Sequence, residues 1–313
     1  MQKSTTLNRD RQIAAHIFMV RPARFGYNEL TAESNAFQHK DHSLNSTEIE
    51  QRAIAEFDQM VKLLRGNGIR VSVFQDEPEP HTPDCVFPNN WISTHADGKV
   101  ILYPIMAPNR RLERQASIYG AVAGMHHASE LIDLSHYEAR ELFLEGTGSM
   151  IMDRVHQKVY ACLSPRTDRE VLNDFARAVD CEVVVFTSRD EQGVDIYHTN
   201  VMMALSETAA VICLDSIADP QERKSIERHL RGDGFEIVEI DFAQMGQFAG
   251  NMLAVRNQSG EACLVMSQRA YQSLSPQQIH QLSLHHHLVI IPLDVIETYG
   301  GGSVRCMMAE IFF

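Results

Sequence analysis

No run in this chain approaches the roughly 20 apolar residues that cross a bilayer, so the sequence offers no membrane-spanning helix. Positive charge is scarce. Against 41 Asp and Glu stand only 28 Lys and Arg, a formal net charge of −13, which would repel nucleic-acid phosphates. The six cysteines, at 85, 162, 181, 213, 263 and 306, form no Cys-x-x-Cys pair, which disfavours a zinc knuckle or a redox dithiol. Free thiols suit a reducing compartment, and residues 1–10 lack the apolar core of a secretory signal; both point to a cytoplasmic protein. Neither Gly-x-Gly-x-x-Gly nor Gly-x-x-x-x-Gly-Lys occurs, so no phosphate-cradling loop is expected. No Pro/Ser/Gly-rich linker or charge block divides the chain, and residues 1–313 are read as one domain.

What is present is a recurrence of short, apolar, β-branched runs. Residues 17–20, 71–74, 100–103, 159–163, 183–187, 211–214, 236–240, 263–266 and 288–291 read as mostly buried strands. Helical patterns lie between several of them. One opens at Ser46, carries Ile49, Ala53, Phe57, Met60, Val61 and Leu64 on one face, and stops at Gly66. Others run from Thr167 to Val179, from Pro220 to Gly232 and from Gln277 to Leu284. Residues 150–153 with 159–163, and 201–205 with 210–214, read as hairpins. The fold class is therefore mixed α/β without the strict alternation of a doubly wound sheet, and an internal repeat is suspected.

Four segments carry residues suited to chemistry. Near the end, Gly300-Gly301-Gly302-Ser303-Val304-Arg305-Cys306 puts a thiol after a flexible loop. There Ser303 would cap a helical turn and Arg305 would favour the nucleophilic thiolate. The second segment is His198-Thr199-Asn200, with His198 at the mouth of an apolar strand, where it can shuttle protons for a thiol. In Phe143-Leu144-Glu145-Gly146, Glu145 is flanked by apolar residues, and such a carboxylate needs a histidine or a cationic substrate as partner. The fourth, Asp84-Cys85-Val86-Phe87-Pro88-Asn89-Asn90-Trp91, sets two amides before the only tryptophan. Each has a plainer alternative: a buried structural cysteine, a structural histidine, a surface Asn-Asn turn. The clusters His126-His127 and His285-His286-His287 are not expected to bind metal, because adjacent side chains diverge on any regular element.

In this order the four segments resemble the guanidino-group-modifying superfamily of arginine deiminases, dimethylarginine hydrolases, amidinotransferases and succinylarginine dihydrolases. Gly-Gly-Gly-x-x-Arg-Cys is similar to its nucleophile motif, His198-Thr199-Asn200 to its His-x-Asp, and Leu144-Glu145-Gly146 to its Leu-Glu-Gly. Phe87-Pro88-Asn89-Asn90 takes the place of its Phe-x-Arg-Asp, and Met19-Val20-Arg21-Pro22 looks like its first strand. The resemblance implies the pentein fold, five strand-strand-helix-strand units around a pseudo-fivefold axis, and a site in the central channel. It implies Cys306 as nucleophile, His198 as proton carrier and Glu145 as the group orienting His198, with no cofactor and no metal.

Two departures narrow the reading. Asn90 and Asn200 stand where deiminases hold guanidinium with aspartates, and amides suit a neutral ligand better than a cation. The expected activity is hydrolysis of a ureido group, citrulline to ornithine, CO2 and ammonia, close to the citrulline-utilisation branch. An arginine dihydrolase or deiminase, an amidinotransferase and an inert binding protein are the alternatives. Asn35 is a further candidate substrate contact, and Arg305, Arg21 or Arg24 would read the substrate carboxylate. The expected partner is a small amino acid, not nucleic acid or membrane; the oligomeric state, a homo-oligomer included, is left open.

Overall fold

The structure, a computed structural model, describes residues 11–32, 34–40, 43–125 and 128–312. Its strands are β1 (His16–Arg21), β2 (Arg70–Gln75), β3 (Ile92–Thr94), β4 (Lys99–Leu102), β5 (Glu130–Asp133), β6 (Ile151–Asp153), β7 (Lys158–Cys162), β8 (Glu182–Phe186), β9 (Met203–Leu205), β10 (Ala209–Ile212), β11 (Glu236–Glu239), β12 (Leu253–Arg256), β13 (Ala262–Ser267), β14 (His287–Ile291) and β15 (Ala309–Glu310). They form three-stranded sheets ordered β15-β1-β2, β3-β4-β5, β6-β7-β8, β9-β10-β11 and β12-β13-β14. Each pairs its first two strands antiparallel and its last two parallel. A parallel pair needs a crossover. The helices Ser46–Gly66, Ala116–Met125, Arg169–Val179, Pro220–Gly232, and the pair Gln268–Ser273 and Pro276–Ser283, supply the crossovers. The expected five-unit pentein architecture is what the chain adopts, and the C-terminal β15 completes the sheet of the N-terminal β1.

The first strand of each sheet lies innermost: β15 packs beside β3, β6 beside β9, and β9 beside β12. These inner strands are short because they meet around the axis, and their apolar residues are buried except for Met152, which is half-buried. The outer helices bury single faces. Ser46–Gly66 does so with Ile49, Ala53, Phe57, Met60, Val61 and Leu64, and an Asn45/Glu48 capping box closes its start. Such a cap stabilises a helix by about 1 kcal/mol.

Several elements differ from the sequence expectation. β3, β12 and β15 have three, four and two residues, too few to show an alternation. β5 is largely exposed and lacks an apolar signal. The expected strand over 201–205 begins as a helical turn, Thr199–Met202, and becomes β9 only at Met203. Ala116–Met125, with two glycines and little polar contrast between its faces, gave no clear helical period. No helix among the described residues is long and apolar enough to cross a membrane.

Candidate active site

Short segments lead into the inner strands, and they carry the candidate site residues. Asn90 precedes β3, Glu145 precedes β6, His198 and Asn200 precede β9, and Cys306 precedes β15. Asn35, Asn90, His198 and Cys306 line one small cavity, together with Asp84, Arg110, Arg166 and the Gly300–Gly302 loop. Glu145 sits directly behind His198, whose Nε2–H donates to Glu145 Oε2 at 2.8 Å. Both side chains are buried.

The ionisation of this pair follows from its surroundings. Burial disfavours the imidazolium and, despite Glu145, brings the His198 pKa down to about 4. Burial alone would raise Glu145, but Arg166, the His198 hydrogen bond and Arg110 hold it below the usual carboxylate range. At neutral pH the pair is therefore a neutral imidazole on a carboxylate. With Nε2 engaged, Nδ1 is the free basic atom. It lies beside Gly148, where an added Cβ would come within 2.8 Å of it and within 2.5 Å of Asn90 Nδ2. Only glycine keeps that space open.

Arg110 sets the direction of Asn90. Its Nε and Nη2 donate to the two Glu113 oxygens at 2.9 and 3.0 Å, and its Nη1 donates to Asn90 Oδ1 at 2.9 Å. Burial works against the Arg110 charge, but Glu113 and Asp84 outweigh it and raise its pKa. A guanidinium only donates, so the amide oxygen of Asn90 must face it. Asn90 Nδ2 then points away as a donor, and it is buried without a partner. Asn200 Oδ1 is likewise buried and unpartnered, as is Asp84 Oδ1. Asn200 Nδ2 lies 3.4 Å from Cys306 Sγ.

Other expectations need correction. Residues 304–307 form turns rather than a helix, the Cys306 N–H bonds to the Ser303 carbonyl, and the Ser303 hydroxyl donates to Glu297. The glycine loop thus ends in a tight turn, and the helix-capped thiol is absent. Arg305 does not line the cavity: its guanidinium bonds to Glu310 Oε2 and the Met308 carbonyl at 3.0 Å each. Arg21 pairs with Asp58 and Arg24 with Glu79, both on the exterior. Asn35 does line the cavity, but its Nδ2 donates to the Gly301 carbonyl at 3.3 Å, so it also ties down the glycine loop. His126 and His127 lie outside the described residues. His286 is buried with Nδ1 on the Leu282 carbonyl, and His287 reaches Asn67.

The cavity's own cations, Arg110 and Arg166, were missed in the sequence, as was Asn251; Asp84 opens the fourth segment, with no local sign of a role. Arg166 is anchored by Ser34 Oγ at 2.6 Å and the Thr31 carbonyl at 3.1 Å, with its guanidinium 4.9 Å from the Tyr197 ring centre. Arg166 follows Ser164-Pro165 in a polar turn, and its sequence surroundings do not single it out. The pairing of Asp84 with Asn28, at 2.7 Å, comes from a segment 56 residues away and left no signal.

The family described as N,N dimethylarginine dimethylhydrolase, eukaryotic, matches residues 21–313. No curated protein matches the sequence. Among solved structures, the cyanobacterial arginine dihydrolase ArgZ superimposes with a TM-score of 0.73 at 19% identity, covering 94% of this chain and 40% of ArgZ. The chain thus spans less than half of full-length ArgZ. It matches 97% of an ArgZ N-terminal domain covalently bonded to a reaction intermediate, over 95% of its own length, with a TM-score of 0.72 and 18% identity. A dimethylarginine dimethylaminohydrolase adduct with S-methyl-L-thiocitrulline gives 0.66 at 15% identity, covering 95% of this chain and 99% of that one. At these identities the likeness establishes the fold. The family match extends over nearly the whole chain, which therefore belongs to the dimethylarginine dimethylhydrolase family of the pentein superfamily.

Proposed function

We propose that the protein is a cofactor-independent cysteine hydrolase of linear C–N bonds that cleaves the ureido group of citrulline to ornithine, CO2 and ammonia, as one domain over residues 1–313. The observation that carries this reading is the hold of Arg110 on Asn90. It turns Asn90 Nδ2, on the cavity wall, into a donor; Asn200 does not line the cavity and sits behind Cys306 with its Oδ1 unpartnered. A ureido group has an oxygen that can accept from Asn90. A guanidinium only donates, and would set its N–H groups against those of Asn90. The guanidiniums of Arg110 and Arg166 supply positive potential for the substrate carboxylate. Asp84, which lines the cavity with Oδ1 unpartnered, suits the ammonium.

In this mechanism the sulfur of Cys306 attacks the ureido carbon, and the carbonyl electrons move onto oxygen. His198 Nδ1 takes the thiol proton and hands it to the terminal nitrogen as its C–N bond breaks, releasing ammonia. Water, deprotonated by His198 Nδ1, attacks the S-carbamoyl adduct. The C–S bond breaks, Cys306 regains its proton, and the carbamate product decomposes to CO2 and ornithine. Glu145 steadies the transient imidazolium. A cytoplasmic location belongs to this reading, and the six unpaired cysteines suit it.

A second reading, arginine dihydrolase, is supported by the likeness to ArgZ; it requires the same site to expel ammonia from a guanidinium first. The test is a panel of citrulline, arginine, agmatine, dimethylarginine and succinylarginine assayed for ammonia, with Cys306→Ala as the blank. Citrulline should release ammonia and ornithine. Arginine turnover halting at citrulline would contradict the role given to Asn90. Transfer of label to glycine would make the protein an amidinotransferase, and silence on every compound an inert binder.

A further inference from the structure

Asn251 has no place in the motifs that identify the site, yet it touches the reacting atom. It lies two residues before β12, as Asn90, Asn200 and Cys306 stand two or three residues before their own inner strands. The side chain is buried. Its Oδ1 accepts the Arg305 N–H at 3.1 Å, and its Nδ2 donates to the Asn200 carbonyl at 3.0 Å. These two bonds fix the amide, so the end nearest the nucleophile is the donor: Nδ2 lies 3.4 Å from Cys306 Sγ, and Oδ1 lies farther, at 3.8 Å. Close approach of the two loops depends on Gly250, where an added Cβ would collide with the Val201 carbonyl.

We propose that Asn251 is a catalytic residue which, with Asn200, donates N–H to the Cys306 sulfur, stabilising its negative charge and fixing its line of attack. Hydrogen bonds to an ionised acceptor are roughly twice as strong as neutral ones, and the thiolate is the attacking form. A neutral ureido group brings no cation to the sulfur, so the protein must supply the donors. The inference rests on Cys306 being the nucleophile, and its test needs no substrate.

The test is the rate at which iodoacetamide alkylates Cys306 at neutral pH, followed by peptide mass spectrometry. The other thiols provide a quiet background. Burial raises Cys162 and Cys181 to about 12, Cys213 and Cys263 to about 11, and Cys85 well above its ordinary value. In Asn251→Ala the rate should fall about tenfold or more, and in turnover kcat should fall while KM holds. Asn251→Asp keeps the acceptor for the Arg305 N–H but faces the sulfur with a carboxylate, so it should be at least as slow. It decides the matter if the alanine variant does not fold. Wild-type rates in a folded Asn251→Asp protein would overturn the inference, as would a wild-type Cys306 that resists the reagent. A persisting rate difference without turnover of any compound would sustain the inference while removing the proposed function.

Discussion

The helix Arg169–Val179 and the loops that carry Cys306, Asn90 and Asn200 are both folded against buried surroundings, but they treat polar groups in opposite ways. The helix buries Val171, Leu172, Phe175 and Ala176, and Asp168 caps its first N–H groups. At the site, Asn90 Nδ2, Asn200 Oδ1 and Asp84 Oδ1 are enclosed without partners. An unsatisfied buried polar atom costs about 1–3 kcal/mol. The shell therefore stabilises a centre that is poorly satisfied by itself, and the centre's unmet hydrogen bonds define the shape and polarity of what it binds. Stability and function are separated in space: one resides in the crossovers, the other in the loops before the inner strands.

Phe175→Ala removes a fully buried ring and should cost about 3–5 kcal/mol in denaturant unfolding, while kcat per folded molecule stays near wild type. A large loss of kcat in the folded variant would show that shell and centre are coupled. A smaller effect is expected with pH. Burial brings His95 to about 3 and His198 to about 4, from 6.5. Between those values and 6.5 the unfolded chain binds more protons, so both contribute stability that is lost as pH falls through the window. Burial raises Glu113 and Glu297 to about 7, from 4.5. These carboxyls bind more protons when folded, so their contribution has the opposite sign and is lost as pH rises toward 7. Glu297→Gln keeps an acceptor for Ser303 but deletes one opposing contribution. The change in Tm between about pH 5 and pH 7 should become more positive than in wild type, and an unaltered slope would contradict that sign.

The sequence disclosed the parts that depend on local pattern. The crossover helices Ser46–Gly66, Arg169–Val179, Pro220–Gly232 and Pro276–Ser283 announced themselves by apolar spacing or their end residues, whereas Ala116–Met125 and Gln268–Ser273 did not; Cys306, His198 and Glu145 stood out by glycine-rich or apolar neighbours. Inner strands such as β15, with two residues, are held by the ring rather than by their own periodicity and left no trace. Arg305 adjoins Cys306 in sequence, but the tight turn at 304–307 sends its guanidinium to Glu310. The charges that do line the cavity, Arg110 and Arg166, come from segments whose meeting only the fivefold arrangement creates. Asn251 was legible in principle, as the repeat of an asparagine before an inner strand, once the repeat itself was known.

The claim on which the rest depends is that Asn90 faces the substrate as a hydrogen-bond donor. Measuring kcat/KM for citrulline and for arginine in wild type and in Asn90→Asp tests it directly. The carboxylate would pair with Arg110 and offer only acceptors, so the preference for citrulline should fall by about tenfold or more, one hydrogen bond's worth of discrimination. A preference for citrulline that is kept or strengthened in Asn90→Asp would contradict the account.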